Sequence, residues 1–194
     1  MILIAYWVLR KKCVRFFEIR KFRKILIPKN GHFFRRLNAN FRHFLGHVFV
    51  NPIDCESYMG LLCYKNGSLT RQEIRDKHGL SWDQFSDILK NTEPKNSIFI
   101  HYPLPEITPF ATGSWKFSAE NERISEISEM SKNEEIRCLI EGQIMAKKNH
   151  VTKFGFKATG RLIVTGGASK NEEIVQIIAD VFDMEVYNQP STEV

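Results

Sequence analysis

The sequence predicts an α/β domain at residues 45–194, preceded by a separate basic segment at residues 1–44. Within the domain, short apolar runs alternate with amphipathic stretches of helical spacing, which is typical of strands layered against helices. Two adjacent glycines, Gly166 and Gly167, stand between one such run and the helix that follows it. The charge divides near the same boundary, because residues 1–43 carry 12 basic residues against one acid, whereas the rest of the chain carries 16 against 21.

The basic segment has no pattern that identifies a function. Its apolar start precedes the Lys and Arg residues, which is the reverse of the order in a secretory signal peptide. Because its basic residues are interleaved with aromatics, binding to RNA or to an anionic membrane surface stands as an alternative function. We favour a segment without an evolved binding role and expect no nucleic-acid partner. No apolar run approaches the roughly 20 residues that span a bilayer, so no transmembrane segment is predicted.

Strands are predicted where an apolar run ends in turn-forming residues. The first two lie at residues 46–52 and 57–64 and are followed by an Asn-Gly turn. A third strand is predicted at residues 97–102, after which prolines force a loop before a fourth at residues 113–117. Residues 118–133 are polar and are expected to form an exposed connector.

Two short helices are predicted between the second and third strands, each from a capping box in which Ser or Thr precedes Glu or Gln by three residues. Thr70 with Glu73 predicts the start of the first helix, and Gly79 predicts its end. Ser81 with Gln84 predicts the start of the second helix. The residues expected to face inward from the second helix are Trp82, Phe85, Ile88 and Leu89.

The last third of the chain predicts a helix at residues 134–148, a short buried strand at residues 161–164, a second helix and a strand at residues 185–187. One side of the first helix carries Ile136, Leu139, Ile140, Gln143 and Ile144. Ser169 with Glu172 predicts a capping box for the second helix. The apolar face of that helix carries Ile174, Ile177, Ile178, Val181 and Phe182.

The turn between the short strand and the last helix has the chemistry of a ligand site. Two residues without side chains let a ligand approach the backbone closely, and a helix start offers unpaired N–H groups to polar or anionic atoms. The run IVTGGASKN at residues 163–171 resembles the adenosine-binding motif of the FGGY carbohydrate kinases. That family belongs to the superfamily of sugar kinases, Hsp70 and actin.

Five further stretches resemble the same family and follow its order along the chain. They are GHVFVNPID at residues 46–54, YMGLLCYKNGSL at 58–69, EITP at 106–109, LIEGQIMAK at 139–147 and ADVFD at 179–183. The resemblance implies a partial ribonuclease-H-like lobe of the actin and hexokinase type, with a mixed sheet flanked by helices. It covers the C-terminal lobe only, incomplete at both ends, and is greatest to the kinases that act on D-xylulose.

The resemblance implies an ATP-dependent pentulose kinase that converts D-xylulose and ATP to D-xylulose 5-phosphate and ADP. Mg²⁺ is then held through the nucleotide phosphates, and the enzyme is expected in the cytoplasm. The implied nucleotide-binding residues are Gly166, Gly167, Ala168, Ser169 and Asn171. Asn171 is expected to form a hydrogen bond with the nucleotide, whereas Ser169 either contacts it or serves only as the helix cap.

The family features that perform phosphoryl transfer do not occur in this sequence. The Gly-Asp motif with the catalytic aspartate and the Gly-Thr-Ser phosphate loop are expected where residues 1–43 stand, and neither is present. We therefore assign no catalytic residue, and Asp54, Asp83 and Asp180 are candidates only by residue type. The chain alone is expected to be inactive, with at most weak binding of adenine nucleotide. An isolated lobe is also expected to associate through exposed apolar surface.

Other candidate residues are expected to have structural roles. Glu106 is predicted to fix a loop, and Gly142 to permit close packing of a helix. His43 and His47 are four residues apart but lie near a predicted strand, so no metal site is predicted. Four cysteines without a CxxC pair suit a reducing compartment. The four are Cys13, Cys55, Cys63 and Cys138. Of these, Cys63 and Cys138 are predicted to be core residues.

Overall fold

The computed structural model describes residues 46–50, 58–120, 123–153 and 160–188. Contacts divide the chain into two compact units, one from Ile2 to Cys63 and one that holds Tyr64–Val194. The basic segment lies outside the described residues, as do His43, Cys13, Cys55 and Asp54. The predictions about them therefore stay predictions.

The described part of the first unit is a pair of strands. Strand β1 (Gly46–Val50) pairs antiparallel with β2 (Tyr58–Leu62), and Gly46 lies opposite Leu62. Both strands were predicted, although β2 ends at Leu62 and not at the predicted residue 64. The predicted strand residues 51, 52 and 57 lie outside the described residues.

The second unit alternates helices and strands. In chain order it contains α1 (Ser68–Lys77), α2 (Trp82–Asn91), β3 (Ser97–Tyr102), β4 (Gly113–Glu120), β5 (Arg123–Glu126), α3 (Lys132–Lys153), β6 (Leu162–Val164), α4 (Glu172–Phe182) and β7 (Val186–Asn188). Strands β3, β4 and β5 form an antiparallel sheet, whereas β6 and β7 pair in parallel. The predicted α/β class is confirmed, but the described strands do not form the predicted mixed sheet, because the parallel pair and the antiparallel strands belong to separate sheets.

Helix α3 is the centre of this unit, because it packs against β3, α2 and α4. The residues of its predicted inner side are all buried, but so is every other residue from Glu135 to Ile144, and burial is therefore not confined to one side of the helix. The five predicted residues are Ile136, Leu139, Ile140, Gln143 and Ile144. A Cβ added at Gly142 would overlap the backbone carbonyl oxygen of Phe99 on β3. The prediction that glycine permits close helix packing here is therefore confirmed, and the helix is longer than the predicted 134–148.

The starts of the two short helices differ in how well the sequence predicted them. The capping box at α2 is present, with Gln84 N donating to Ser81 Oγ at 3.1 Å and Ser81 N donating to Gln84 Oε1 at 2.9 Å. The capping box at Thr70 is wrong, because α1 begins two residues earlier at Ser68 and Thr70 is buried inside it. Hydrogen bonds from Gln143 to the two carbonyls before Ser68 fix that earlier start.

Two other details of the prediction are wrong. Trp82 is 43% exposed, although Phe85 and Leu89 on the same helix are fully buried as predicted. The indole lies at the first position of α2, where the guanidinium of Arg75 covers it at 4.5 Å from the ring centroid. Residues 118–133 do not form a simple connector, because they contain the end of β4 and all of β5. Every residue of β5 is exposed, so this edge strand has no apolar alternation to detect.

None of the helices in the described part of the chain combines the length and the apolar character needed to cross a membrane.

Candidate functional site

The glycine turn, residues 165–171, begins after β6, whose last residue, Val164, is buried. The β6 strand itself is not the buried strand that the sequence predicted, because Ile163 at its centre is 59% exposed. Gly166 has a φ of +85°, a backbone conformation that favours glycine. Gly167 then opens a single 3₁₀ turn, Gly167–Lys170, before α4.

Open space faces both glycines of this turn. A Cβ built on either Gly166 or Gly167 would meet no atom of the described residues within 4 Å. At Gly166 the positive φ is sufficient reason for glycine, but the backbone of Gly167 is not in that region. Neither backbone strain nor packing against the described residues therefore requires glycine at position 167. A ligand lying against the bare backbone would require it.

Ser169 closes the turn on itself. Its buried hydroxyl donates to the carbonyl oxygen of Gly166 at 2.7 Å, and its backbone N–H donates to the same oxygen at 3.0 Å. The predicted capping box of Ser169 with Glu172 is wrong, because the 3₁₀ turn delays the start of α4. Asn171 caps that helix instead, its Oδ1 accepting from the backbone N–H of Ile174 at 3.0 Å.

Neighbouring elements hold the turn on two sides. Nδ2 of Asn171 donates to Oγ of Ser86 on α2 at 2.6 Å. Nδ2 of Asn188, at the end of β7, donates to the carbonyl oxygen of Ser169 at 2.7 Å. Neither Ser86 nor Asn188 was predicted as a site residue. Asn188 follows directly on the strand predicted at residues 185–187, but only the structure shows that this strand pairs with β6.

Charged residues of both signs lie at the end of the turn. Lys170 is the last residue of the 3₁₀ turn and is exposed. Glu172 and Glu173 follow it in the first turn of α4, where they interact favourably with the positive end of the helix dipole.

A second polar cluster lies around Glu106 and confirms its predicted loop-fixing role. The buried carboxylate accepts from the backbone N–H groups of Lys65 at 2.6 Å, Asn66 at 2.9 Å and Ile107 at 2.7 Å. Burial raises the pKa of Glu106, but these hydrogen bonds outweigh it and hold the pKa below its ordinary value. Glu106 is thus an ionised structural anchor.

Two buried cations lie beside this anchor. Arg71 Nη1 donates to Gln143 Oε1 at 3.0 Å, and Lys147 Nζ donates to the carbonyl oxygen of Gln143 at 3.2 Å. Burial, together with the charge of Arg71, lowers the pKa of Lys147 to about 8. Burial also lowers the pKa of Arg71 to about 10. Neither cation forms an ion pair with a carboxylate in the described part of the chain.

The remaining candidate residues do not take part in the hydrogen bonds described above for the glycine turn. Asp83 is exposed in the first turn of α2, and Asp180 is exposed on α4, where it accepts from Gln176 Nε2 at 2.7 Å. Cys138 is fully buried, as predicted, and burial raises the pKa of its thiol to about 11. Cys63 is only half-buried.

Metal-binding residues do not cluster in the part of the chain that the structure describes. His47 lies on strand β1, and His43 lies outside the described residues. Over the described ranges, no three or more His, Cys, Asp or Glu residues are grouped so that they could hold a metal ion.

Comparison with known proteins gives one family. The profile described as FGGY family of carbohydrate kinases, C-terminal domain, matches residues 43–193. The chain is 45% identical over 147 residues to xylulose kinase of Mus musculus. This alignment covers 73% of the chain and 26% of that protein. It is 42% identical over 155 residues to xylulose kinase 2 of Arabidopsis thaliana, covering 73% of the chain and 28% of that protein.

Solved structures show the same fold. The xylulose kinase from Bifidobacterium adolescentis superposes with a TM-score of 0.61 at 21% identity, covering 77% of this chain and 29% of that one. Plasmodium falciparum glycerol kinase with ADP gives a TM-score of 0.56 at 16% identity, covering 76% and 30%. The predicted partial lobe of the actin and hexokinase type is confirmed. The chain spans between a quarter and a third of the length of these relatives.

Proposed function

The chain belongs to the FGGY family of carbohydrate kinases, and on that premise we propose that it provides the adenosine-binding part of an ATP-dependent pentulose kinase. The proposed reaction of the whole protein is transfer of the γ-phosphoryl group of ATP to D-xylulose, giving D-xylulose 5-phosphate and ADP. The names of the most similar relatives support D-xylulose as the substrate. Such pentose metabolism would place the whole protein in the cytoplasm.

Gly167 is the observation that carries this proposal. Glycine is required there neither by φ nor by packing against the part of the chain that the structure describes, and its missing side chain leaves open space among those residues. By contrast, packing accounts for Gly142 and the backbone conformation accounts for Gly166. A nucleotide that lies against the bare backbone of the turn gives Gly167 its function.

The residues of the turn have distinct proposed roles. Gly166, Gly167 and Ala168 provide the surface for the adenosine group, and Ser169 holds that surface in shape through its bonds to Gly166. Asn171 offers its amide to the ligand while capping α4. When ATP is bound it supplies the phosphoryl group, and Mg²⁺ is held through its phosphates. The described residues of this chain bind and orient the adenosine end.

We also propose that the 194-residue chain does not transfer phosphate by itself. Phosphoryl transfer needs a residue that activates the acceptor hydroxyl and groups that hold the γ-phosphate. Among the described residues, neither Asp83 nor Asp180 takes part in the hydrogen bonds that hold the glycine turn. An assay of ADP release from ATP by the purified chain in the presence of D-xylulose tests whether the chain transfers phosphate alone. We expect no ADP release that depends on D-xylulose.

Replacement of Gly167 tests the nucleotide site. Because a Cβ there meets no atom within 4 Å, Gly167→Ala and Gly167→Val should leave the melting temperature unchanged. Both should weaken ADP binding measured by calorimetry, with Val the more severe, and a tenfold loss for Val would correspond to about 1.4 kcal/mol. Ser125→Val, an exposed change on β5, is the matched control. Equal ADP affinity for Gly167→Val and the unaltered chain would overturn the proposal.

A further inference from the structure

We infer that Ser86 on α2 is a positioning residue for the nucleotide site, because its hydroxyl fixes the orientation of the Asn171 side-chain amide that meets the adenosine group. The inference rests on the proposed function. It adds a residue outside the glycine turn, and it states which end of the Asn171 amide the ligand meets.

The hydrogen bonds of Ser86 have a fixed direction. Its Oγ–H donates to the carbonyl oxygen of Trp82, one helical turn earlier, at 3.0 Å. A serine hydroxyl has a single hydrogen, so towards any other partner it acts as an acceptor. The 2.6 Å contact between Ser86 Oγ and Asn171 is therefore satisfied only by the N–H end of the amide.

The helix cap imposes the same orientation from the other side. Asn171 Oδ1 accepts from the backbone N–H of Ile174 at 3.0 Å. A reversed amide would place its NH₂ group against the Ile174 N–H and its oxygen against a hydroxyl whose hydrogen is already donated to Trp82. Both new contacts would be unfavourable, since the first would bring together two N–H donors and the second two oxygen acceptors. Ser86 and the start of α4 thus hold Asn171 in one orientation.

This orientation defines the ligand chemistry at Asn171. An asparagine amide has two N–H hydrogens, of which Ser86 accepts one. The second hydrogen is the one that meets the nucleotide, so Asn171 acts as a donor to the ligand. The atom it recognises is then an acceptor of the adenosine group, either a ring nitrogen or a ribose oxygen.

Two substitutions at Ser86 separate this role from simple packing. Ser86→Ala removes the acceptor for Asn171 and is expected to weaken ADP binding about tenfold. Ser86→Thr keeps a hydroxyl and is expected to restore ADP binding. Asp87→Ala, an exposed change on the same helix, is the control and should leave ADP affinity unchanged.

A double-mutant cycle tests whether Ser86 acts through Asn171. Asn171→Asp keeps an N-cap acceptor for Ile174 but offers no N–H, so it should weaken ADP binding as Ser86→Ala does while α4 stays capped. The double variant should bind ADP no more weakly than Asn171→Asp alone. Additive losses would show that Ser86 does not act through Asn171 and would overturn the inference.

The outcomes distinguish this inference from the proposed function. If the unaltered chain binds no ADP, the proposed function fails, and the role of Ser86 fails with it. If the unaltered chain binds ADP but Ser86→Ala binds as tightly as Asp87→Ala, only the positioning role of Ser86 is overturned. A tenfold loss that Ser86→Thr reverses supports both.

Discussion

The carboxylate of Glu106 accepts hydrogen bonds from both the backbone and the side chain of Asn66, which lies 40 residues earlier in the chain. Asn66 in turn exchanges hydrogen bonds with the backbone of Leu104, at 2.8 Å and 3.2 Å. The loop after β3 and the turn before α1 are therefore held together by one buried carboxylate and one buried amide.

Glu106→Gln is expected to destabilise the fold although it preserves side-chain size. The new NH₂ group would face N–H donors of Lys65, Asn66 or Ile107, and one such mismatch costs about 1–3 kcal/mol. Urea unfolding at neutral pH measures the loss. Glu93→Gln, at an exposed position, is the control. Equal free energies of unfolding for the two variants would contradict the anchoring role of Glu106.

Local sequence pattern was sufficient for features that depend on residues within a few positions of one another. The buried apolar residues of α3 and the capping box at Ser81 were predicted correctly for this reason, but the burial of Arg137 and Glu141 on the same helix was not predicted. The family motif likewise located the glycine turn. The contacts that shape this turn could not be predicted, since Ser86 reaches Asn171 across 85 positions.

The cap of α4 shows why the details of the turn were not predictable. Ser and Asn are about equally good N-caps, so the sequence alone does not choose between Ser169 and Asn171. The choice follows from tertiary bonds, in which Ser86 holds Asn171 and Asn188 holds the Ser169 carbonyl. Strand β5 was missed for a different reason. It is exposed on every residue, so it has no apolar alternation.

Gly142→Ala is expected to destabilise the fold despite the better helix propensity of alanine. The gain in propensity is about 1 kcal/mol, whereas the added methyl group would overlap the Phe99 carbonyl oxygen and force α3 away from β3. Overpacking of this kind costs about 1–3 kcal/mol. Thermal unfolding should show a lower melting temperature, and the exposed change Asn149→Ala on the same helix should not. An unchanged melting temperature for Gly142→Ala would refute the close contact.

Lys147→Met is expected to stabilise the fold near neutral pH. Burial and the neighbouring Arg71 lower the pKa of Lys147 from 10.5 to about 8, so the unfolded chain binds more protons between these values. Stability contributed by this residue should therefore rise with pH from about 8 to 10.5. At about 1.4 kcal/mol per pKa unit, removing the charge gains on the order of 3 kcal/mol at pH 7.

The measurement is the difference in unfolding free energy between the unaltered chain and Lys147→Met at several pH values. Taking the difference removes the contributions of Tyr64, Tyr102 and Cys138, whose pKa values burial raises. The stabilisation by methionine should be largest at pH 7 and should vanish towards pH 10.5. A difference that does not depend on pH would show that Lys147 keeps its ordinary pKa in the folded chain.

Acid should weaken the fold through Glu135 at the start of α3. This buried carboxylate contacts Lys77 at 2.8 Å, Lys116 at 2.8 Å and His78 at 2.6 Å. Burial raises the pKa of Glu135, but these three partners outweigh it and lower the pKa to about 2.

The stability that Glu135 contributes is therefore present above its ordinary pKa of 4.5 and is lost as the pH falls towards 2. Glu135→Gln should lower the free energy of unfolding by about 3 kcal/mol at pH 7, because it leaves three basic groups without their shared anion. The difference from the unaltered chain should shrink between pH 4.5 and pH 2 in urea titrations, whereas the exposed change Glu129→Gln should show no such dependence. If the loss at pH 7 persisted undiminished at pH 2, proton binding by Glu135 would not be its cause.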